Sequence, residues 1–281
     1  MRGQRSVAVV LFAAALAGCA GVPAHVALQD EARKSISSTE VVLPVKQGEI
    51  YVFVPDSQVA AAGGGGLLLA LIDAGVNSVR TEKAETAVKP LRDAMVDYDF
   101  DKALRDSVQS SLAQVGWLHA DHVRIAKDAT QESFDRYVTG SSEDAMMLAM
   151  ADYRLSNGAE ELTVTLTTAL YPKSTGLVAL RGGSGSEHPS NVKNSLYHDT
   201  LMYSQSVPNV SGDRDHNIAI WSADHGAAMR AALNRATDVL AAMLACDLNA
   251  EPGAQDNCKA DGRGFISRLK NGTMNYVASA P

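Results

Sequence analysis

The chain has 281 residues and a formal net charge of −7, with 46% hydrophobic and 20% charged residues. This length is sufficient for one large domain or two small ones. The acidic balance and the lack of any basic block argue against nucleic acid as a partner. For the same reason the sequence offers no polybasic patch for a membrane surface.

The first 19 residues carry the strongest pattern in the chain. Arg2 and Arg5 precede an apolar run from Val7 to Leu16, and the sequence Leu16-Ala17-Gly18-Cys19 ends it. The pattern resembles a bacterial lipoprotein signal. The resemblance implies that residues 1–18 are removed and that Cys19 is acylated and becomes the first mature residue. The alternative is an ordinary secretory signal with a cysteine near its cleavage site by chance.

The residues after Cys19 indicate where the protein would reside. Ala20 stands where an aspartate favours retention in the inner membrane, so the resemblance implies the outer membrane, with the protein facing the periplasm. Residues 19–39 are mixed and polar, with Pro23 near their start. We expect them to form the acylated cysteine and a flexible tether that spans about 25 Å on average.

Two further cysteines, Cys246 and Cys258, remain if Cys19 carries lipid. An even remainder in an oxidising compartment predicts a disulfide between them. A metal site would need more ligands than two cysteines, and no histidine lies near them in the sequence. We therefore predict that residues 249–281 form a C-terminal tail tied down by this disulfide.

Residues 40–248 are predicted to form one domain that contains several strands. Val41–Leu43 and Ile50–Val54 are rich in strand-forming residues. The sequence Ser156-Asn157-Gly158-Ala159 is a strong hairpin signal, because asparagine and glycine tolerate positive φ. Apolar residues alternate with threonines from Leu162 to Leu170, which is typical of a strand with one face on a core. A further strand is predicted from Tyr197 to Ser206.

Two amphipathic helices complete the predicted domain. Asp99 is expected to cap the first, whose buried stripe would consist of Phe100, Leu104, Val108, Leu112 and Val115. The second is expected to open at Trp221, with Ser222 as its cap. The fold class predicted is α+β: a mostly antiparallel or mixed sheet with amphipathic helices packed on one face.

Residues 59–72 carry no charge and contain four consecutive glycines, Gly63–Gly66, followed by the apolar run Leu67–Ile72. A phosphate-binding loop would need a lysine and a hydroxyl after the glycines, and leucines follow instead. Two interpretations remain open. The segment is either a buried helix start beside a pliable loop, or a segment that meets the membrane or another subunit.

No catalytic signature emerges from the chain. The glycine-rich stretch Gly182–Ser186 fails the nucleophile-elbow pattern, because its last position is serine. His119 and His122 would face opposite sides of a strand, which disfavours a shared metal. Asp152, Glu160 and Asp199 are scattered acids that could meet in space. We predict no catalytic residue, no metal ligand and no cofactor.

The predicted order of elements over 49–247 resembles the α/β domains of curli-type export lipoproteins and of periplasmic activators of peptidoglycan synthases. More specifically, three segments resemble a family of proteobacterial outer-membrane lipoproteins. These segments are Gly63–Ile72, Pro90–Asp93 and Asp97–Asp101. The resemblance supplies no catalytic residues and implies no activity.

Three functional hypotheses follow. The first is a non-enzymatic envelope protein, anchored in the membrane by its N-terminal lipid, that docks onto an envelope protein partner or onto itself. The second is an oligomer resembling an export channel, assembled through residues 59–72. The third is an enzyme that acts on envelope polymers through acids such as Asp152, Glu160 and Asp199.

Overall fold

The computed structural model describes residues 25–53, 82–181, 185–251, 258–259 and 261–279, with all side chains in these ranges except those of 82–85. The helices are α1 (Asp30–Ser35), α2 (Glu82–Ala94), α3 (Phe100–Leu112), α4 (Gln131–Gly140), α5 (Thr175–Leu180) and α6 (Arg214–Asn249). The strands are β1 (Thr39–Pro44), β2 (Tyr51–Val52), β3 (Val123–Ala126), β4 (Ala145–Leu155), β5 (Glu161–Pro172), β6 (Tyr197–Ser206), β7 (Gly264–Arg268) and β8 (Met274–Ala278).

All eight strands belong to one sheet, in the order β3-β1-β4-β5-β6-β8-β7, with β2 paired to the end of β4 beyond β1. The pairs of β4 with β5, β5 with β6 and β7 with β8 are antiparallel. The remaining pairs are parallel. The predicted α+β class with a mixed sheet is confirmed.

The predicted hairpin is present as β4 and β5, and it lies at the centre of this sheet. The turn is held by Ser156, whose hydroxyl accepts hydrogen bonds from the backbone N–H groups of Glu160 and Glu161, both at 3.1 Å. The positive φ falls on Ala159, at 54°, rather than on the asparagine or the glycine that precede it. The alternation on β5 then directs Leu162, Val164 and Leu166 into the core.

The main core lies between one face of the sheet and helices α2, α3 and α6. The predicted stripe is buried at every position, although α3 ends at Leu112, so Phe100, Leu104, Val108 and Leu112 lie on the helix and Val115 follows its end. Asp99 caps this helix as predicted, accepting a hydrogen bond of 2.9 Å from the N–H of Lys102. No described helix has the length and apolar content needed to cross a membrane.

Helices do not pack on one face alone, which differs from our prediction. Helix α4 covers part of the opposite face with Phe134 and Val138. The reason is local, because Met146, Leu148 and Met150 make the first half of β4 apolar on that face too. Without α4 these side chains would be exposed to water.

Helix α6 begins at Arg214, earlier than the predicted opening at Trp221. Asp213 caps it by accepting a hydrogen bond of 2.9 Å from the N–H of Asp215. The helix breaks near the predicted start, where Asp224, His225 and Gly226 all have positive φ. Ser222 is not a cap, since its hydroxyl donates to the carbonyl of Ile218 in the preceding turn.

The two ends of the chain also differ from our prediction. Residues 25–38, expected as part of the tether over 19–39, pack on the body through Leu28, Ala32 and Ile36, which are all buried. Strands β7 and β8, expected in a tail over 249–281, extend the main sheet because β8 pairs in parallel with β6. The expected boundaries at 40 and 248 therefore do not mark the limits of the packed body.

Candidate functional site

Among the described residues, the most concentrated set of titratable groups lies buried where His25 and the β7–β8 hairpin meet β6 and α6. Tyr197 and Asp199 come from β6, Asp247 from α6, Arg268 from the end of β7, and His25 from the start of the described chain. The carboxylates of Asp199 and Asp247 are fully buried, and 15% of the Arg268 and of the His25 side chain is exposed. We call these five residues the ionic cluster.

Arg268 joins the two acids. Its Nη1 donates to both carboxylate oxygens of Asp199, at 3.1 and 3.0 Å, and its Nη2 donates to Asp247 at 2.9 Å. Nη1 also donates to the carbonyl of Gly272 at 2.6 Å, which ties the β7–β8 turn to the cluster. Gly272 has a φ of 92°, a conformation that side chains other than glycine rarely adopt.

The remaining bonds of the ionic cluster fix the carboxylates from the other side. The hydroxyl of Tyr197 donates to Asp247 at 2.8 Å, and the N–H of Thr200 donates to Asp199 at 2.7 Å. His25 Nε2 lies 3.4 Å from Oδ2 of Asp247, the same oxygen that accepts from Tyr197. Each acid is thus held by several donors, as buried carboxylates require.

The pKa values of the two acids are shifted in opposite directions. Burial, followed by the nearby charge of Asp247, raises the pKa of Asp199 to about 7 even though Arg268 opposes the shift. Burial also acts against ionisation of Asp247, but the neighbouring His25, Tyr197 and Arg268 outweigh it and lower the pKa of Asp247. Two carboxylates against one guanidinium leave one excess negative charge, which a proton on Asp199 neutralises.

The spacing of three side chains at this site matches that of a metal-ligand group. Among the described residues, His25, Asp199 and Asp247 are the one group whose ligand atoms all lie within 4.8 Å of one another. The chemistry does not fit, however, because the guanidinium of Arg268 already contacts both carboxylates and would repel a divalent cation. The cluster is therefore better described as an internal salt bridge.

The ionic cluster is also poorly suited to catalysis. Both carboxylates are sealed from solvent, so a substrate cannot reach them. Burial and the charge of Asp247 raise the pKa of Tyr197 far above its ordinary value, so the phenol stays protonated. The arrangement can bind, orient and share a proton, but it offers no accessible nucleophile or base.

The three acids considered from the sequence are not brought together. Asp152 lies on the opposite face of the sheet from Asp199 and accepts a hydrogen bond from Tyr51 at 3.1 Å. Glu160 is exposed in the β4–β5 turn, and Asp199 belongs to the ionic cluster. Because the three carboxylates lie apart, they cannot act together as a catalytic group.

The described cysteines and histidines considered as site residues from the sequence do not belong to the ionic cluster. Cys246 and Cys258 form a disulfide with their Cα atoms 5.9 Å apart, which joins the end of α6 to the chain before β7. His119 and His122 are exposed in the connection between α3 and β3. Cys19 and the segment 59–72 lie outside the described residues.

A cavity of about 910 Å³ opens at the other end of the sheet. It lies between α2, the β4–β5 turn and the start of α6, and its lining includes Pro90, Gly158, Arg214 and Ile218. Arg214 is held in place by the backbone carbonyl and the side chain of Asn157, both at 2.6 Å. This cavity has a mixed apolar and charged lining, which suits a protein segment better than a metal ion.

Comparison with known proteins identifies no family. No protein-family model matches the chain, and neither does any curated protein. Among solved structures, the PelC dodecamer from Paraburkholderia phytofirmans is 10% identical, with 78% of this chain and 95% of that chain covered and a TM-score of 0.26. A leucine-to-methionine variant of the same dodecamer gives 10% identity, 77% and 96% coverage and a TM-score of 0.26. Similarity at this level supports no conclusion about fold or function.

Proposed function

We propose that this protein is a lipid-anchored envelope protein of the outer membrane that docks onto another envelope component and does not catalyse a reaction. The observation that carries the proposal is the closed ionic cluster. It contains the most convergent titratable groups among the described residues, and Arg268 bridges its two buried carboxylates. A buried network of this kind fixes a structure rather than transforming a substrate.

The anchor itself comes from the sequence, through Cys19 and the signal that precedes it. Several acyl chains on one cysteine would hold the protein firmly, at about 0.8 kcal/mol for each buried methylene group. The docking surface that the geometry favours is the cavity beside Arg214, which is large enough to receive a loop or turn of a partner.

Two measurements test this function in cells. Labelling with a palmitate analogue should mark the wild-type protein and should fail with Cys19→Ala, which should also leave the membrane fraction. Photocrosslinking from Ala219, which lines the cavity, should recover one specific envelope protein. Crosslinking from exposed Lys34, outside the cavity, serves as the control. Recovery of the same scattered proteins from both positions would contradict the docking function.

Assembly into an oligomer through residues 59–72 is the second candidate. Phe53 is the last described residue before the segment, and its N–H donates to the carbonyl of Leu155 at 2.8 Å. Thr86, in α2 after the segment, lines the cavity. Both flanks of the segment therefore lie at the cavity end of the sheet. Deleting Gly63–Gly66 should abolish a defined assembly in mild detergent while the monomer stays folded. An unchanged assembly mass would exclude this candidate.

A further inference from the structure

The fold has two poles along the direction of its central strands. At one pole, which we call the anchor pole, Val26 pairs with His198 at the start of β6, and the ionic cluster lies beside them. At the other, the cavity pole, the β4–β5 turn at Gly158 borders the cavity. Thr168 on β5 lies opposite Asp199, so the seven residue steps of β5 from Glu161 to Thr168 separate the poles by about 23 Å.

The length of chain before the described body restricts which pole can approach a membrane. From Cys19 to His25 there are only six residue steps, which span at most about 21 Å when fully extended. His25 is fixed to the body by its contact with Asp247 and by the pairing of Val26. An acyl group on Cys19 therefore keeps the anchor pole close to the lipid, whereas the cavity pole lies farther away.

We infer that the anchor pole rests directly against the lipid surface, so that the cavity pole faces away from the membrane. This inference depends on the proposed acylation of Cys19. In this arrangement the expected flexible tether over 19–39 is reduced to the short connection from Cys19 to His25, whose far end is fixed to the body. The protein then acquires a defined orientation, which a long tether would not impose.

The side chains at the anchor pole suit such a contact. Helix α5 follows the end of β5 there and exposes Val178 and Leu180, by 42% and 43%. The β7–β8 turn, held at this pole through the bond from Arg268 to Gly272, exposes Leu269 by 39%. These are three of the six large hydrophobic side chains exposed among the described residues.

The charges at the anchor pole are mixed. Lys34 and Lys270 are exposed there, and so are Asp30 and Glu31. The contact therefore cannot depend on a basic patch that attracts anionic lipid. It depends instead on apolar side chains and on the short connection, which keeps the local lipid concentration high enough for a weak contact to persist.

The two tryptophans report on the two poles. Trp117 lies at the anchor pole, half-buried, with its indole N–H donating to Asn249 at 3.2 Å. Trp221 lies at the cavity pole, fully buried, with its indole N–H donating to Ala159 at 2.9 Å. A quencher confined to the lipid headgroups should therefore reach only Trp117.

The test uses the full acylated chain in phosphatidylcholine and phosphatidylglycerol vesicles that contain a lipid with a nitroxide on its headgroup. We expect partial quenching of the wild-type fluorescence and none with Trp117→Phe. Inserting about twelve glycine and serine residues after Gly21 adds about 20 Å on average and should abolish the quenching without releasing the protein. Leu269→Asp should weaken it, whereas Val210→Asp, exposed by 59% beyond the end of β6, should not.

The outcomes separate this inference from the proposed function. A wild-type chain that carries the acyl mass and floats with the vesicles, but whose fluorescence is not quenched, would overturn the orientation and leave the anchor intact. Quenching that survives the insertion would also overturn it. A mature chain without the acyl mass would overturn the proposed function, and the orientation with it.

Discussion

Arg268 is the single residue on which the ionic cluster depends. Its guanidinium contacts both buried carboxylates and the carbonyl of Gly272. Removing one partner of a buried charge pair leaves the other charge uncompensated, which costs more than the pair contributes.

We expect Arg268→Ala to lower the free energy of unfolding by about 3–5 kcal/mol. Urea denaturation followed by circular dichroism measures this change. Arg263→Ala is the matched control, because 73% of that side chain is exposed and its ion pair with Asp261 lies at the surface. Equal effects of the two substitutions would show that the cluster does not stabilise the fold.

Asp199 makes stability depend on pH. Its pKa is about 7 in the folded protein and about 3.9 in an unfolded chain, so the folded state holds a proton that the unfolded state releases. The resulting stabilisation is fully present below about pH 4 and is lost as the pH rises through 7. The lowered pKa of Asp247 acts in the opposite direction, but only as the pH falls below about 4.

We therefore expect the urea midpoint to fall between about pH 5 and pH 8, and Asp199→Asn to flatten this decline. Some slope should remain, because burial also raises the pKa of Asp152. Asp261→Asn is the control, since hydrogen bonding from Tyr276 lowers the pKa of Asp261 to about 2, outside this pH range. A wild-type midpoint that rises from pH 5 to pH 8 would contradict the assignment.

At the scale of the elements, the break in α6 is the most unusual feature. Three successive residues, Asp224 to Gly226, adopt the left-handed conformation, which is costly for the two that are not glycine. Arg230 supports the break by donating to the carbonyl of His225 at 2.8 Å and to that of Ala94 at 2.8 Å. The break thus also fixes the end of α2.

Gly226→Ala should destabilise the fold by more than about 1 kcal/mol. The φ of Gly226 is +73°, and an added Cβ would lie 2.7 Å from the sulfur of Met95. Gly176→Ala, in α5, should instead be neutral or stabilise the protein by up to about 1 kcal/mol, because no atom lies within 4 Å of the added Cβ. The thermal unfolding midpoints of both variants measure these effects. A Gly226→Ala protein that is more stable than wild type would contradict the left-handed conformation of residue 226.

Sequence patterns were informative where the structure is local. Strands β4 and β5 and helix α3 follow from alternation, from the helical stripe and from the cap at Asp99, all of which involve neighbouring residues. The ionic cluster could not be predicted in this way, because its members come from four distant parts of the chain. One local signal existed: Asp247 continues the buried stripe of Leu240, Met243 and Leu244, where an acid needs a buried partner.

At the scale of the whole molecule, residues 25–38 are part of the packed body and not a spacer. Leu28 is 1% exposed and Ile36 is 4% exposed, and Arg33 lies over the ring of Trp117, with its guanidinium carbon 5.9 Å from the ring centroid. The polar composition of residues 19–39 predicts a tether. Composition alone does not show that a few apolar residues, such as Leu28 and Ile36, pack against parts of the chain that are far away in the sequence.

Leu28→Ala should therefore lower the free energy of unfolding by about 2–4 kcal/mol, as in other well-packed cores. Lys34→Ala, at an exposed position of α1, should change it by less than about 0.5 kcal/mol. Chemical denaturation of both variants tests whether this segment belongs to the body. A Leu28→Ala protein as stable as wild type would contradict the packing of this segment and favour the interpretation as a flexible tether.

The ionic cluster connects His25 to Arg268, two residues that are far apart in the sequence, and under the proposed export this has a consequence for folding. A polypeptide that crosses the inner membrane with its N-terminus first presents His25 at once, but Arg268 only when almost all of the chain has emerged. Until then the carboxylates of Asp199 and Asp247 have no guanidinium between them, and burying them would be strongly unfavourable. Under the proposed export, the body would be kept from closing before Arg268 emerges, so the arrival of β7 would time its folding.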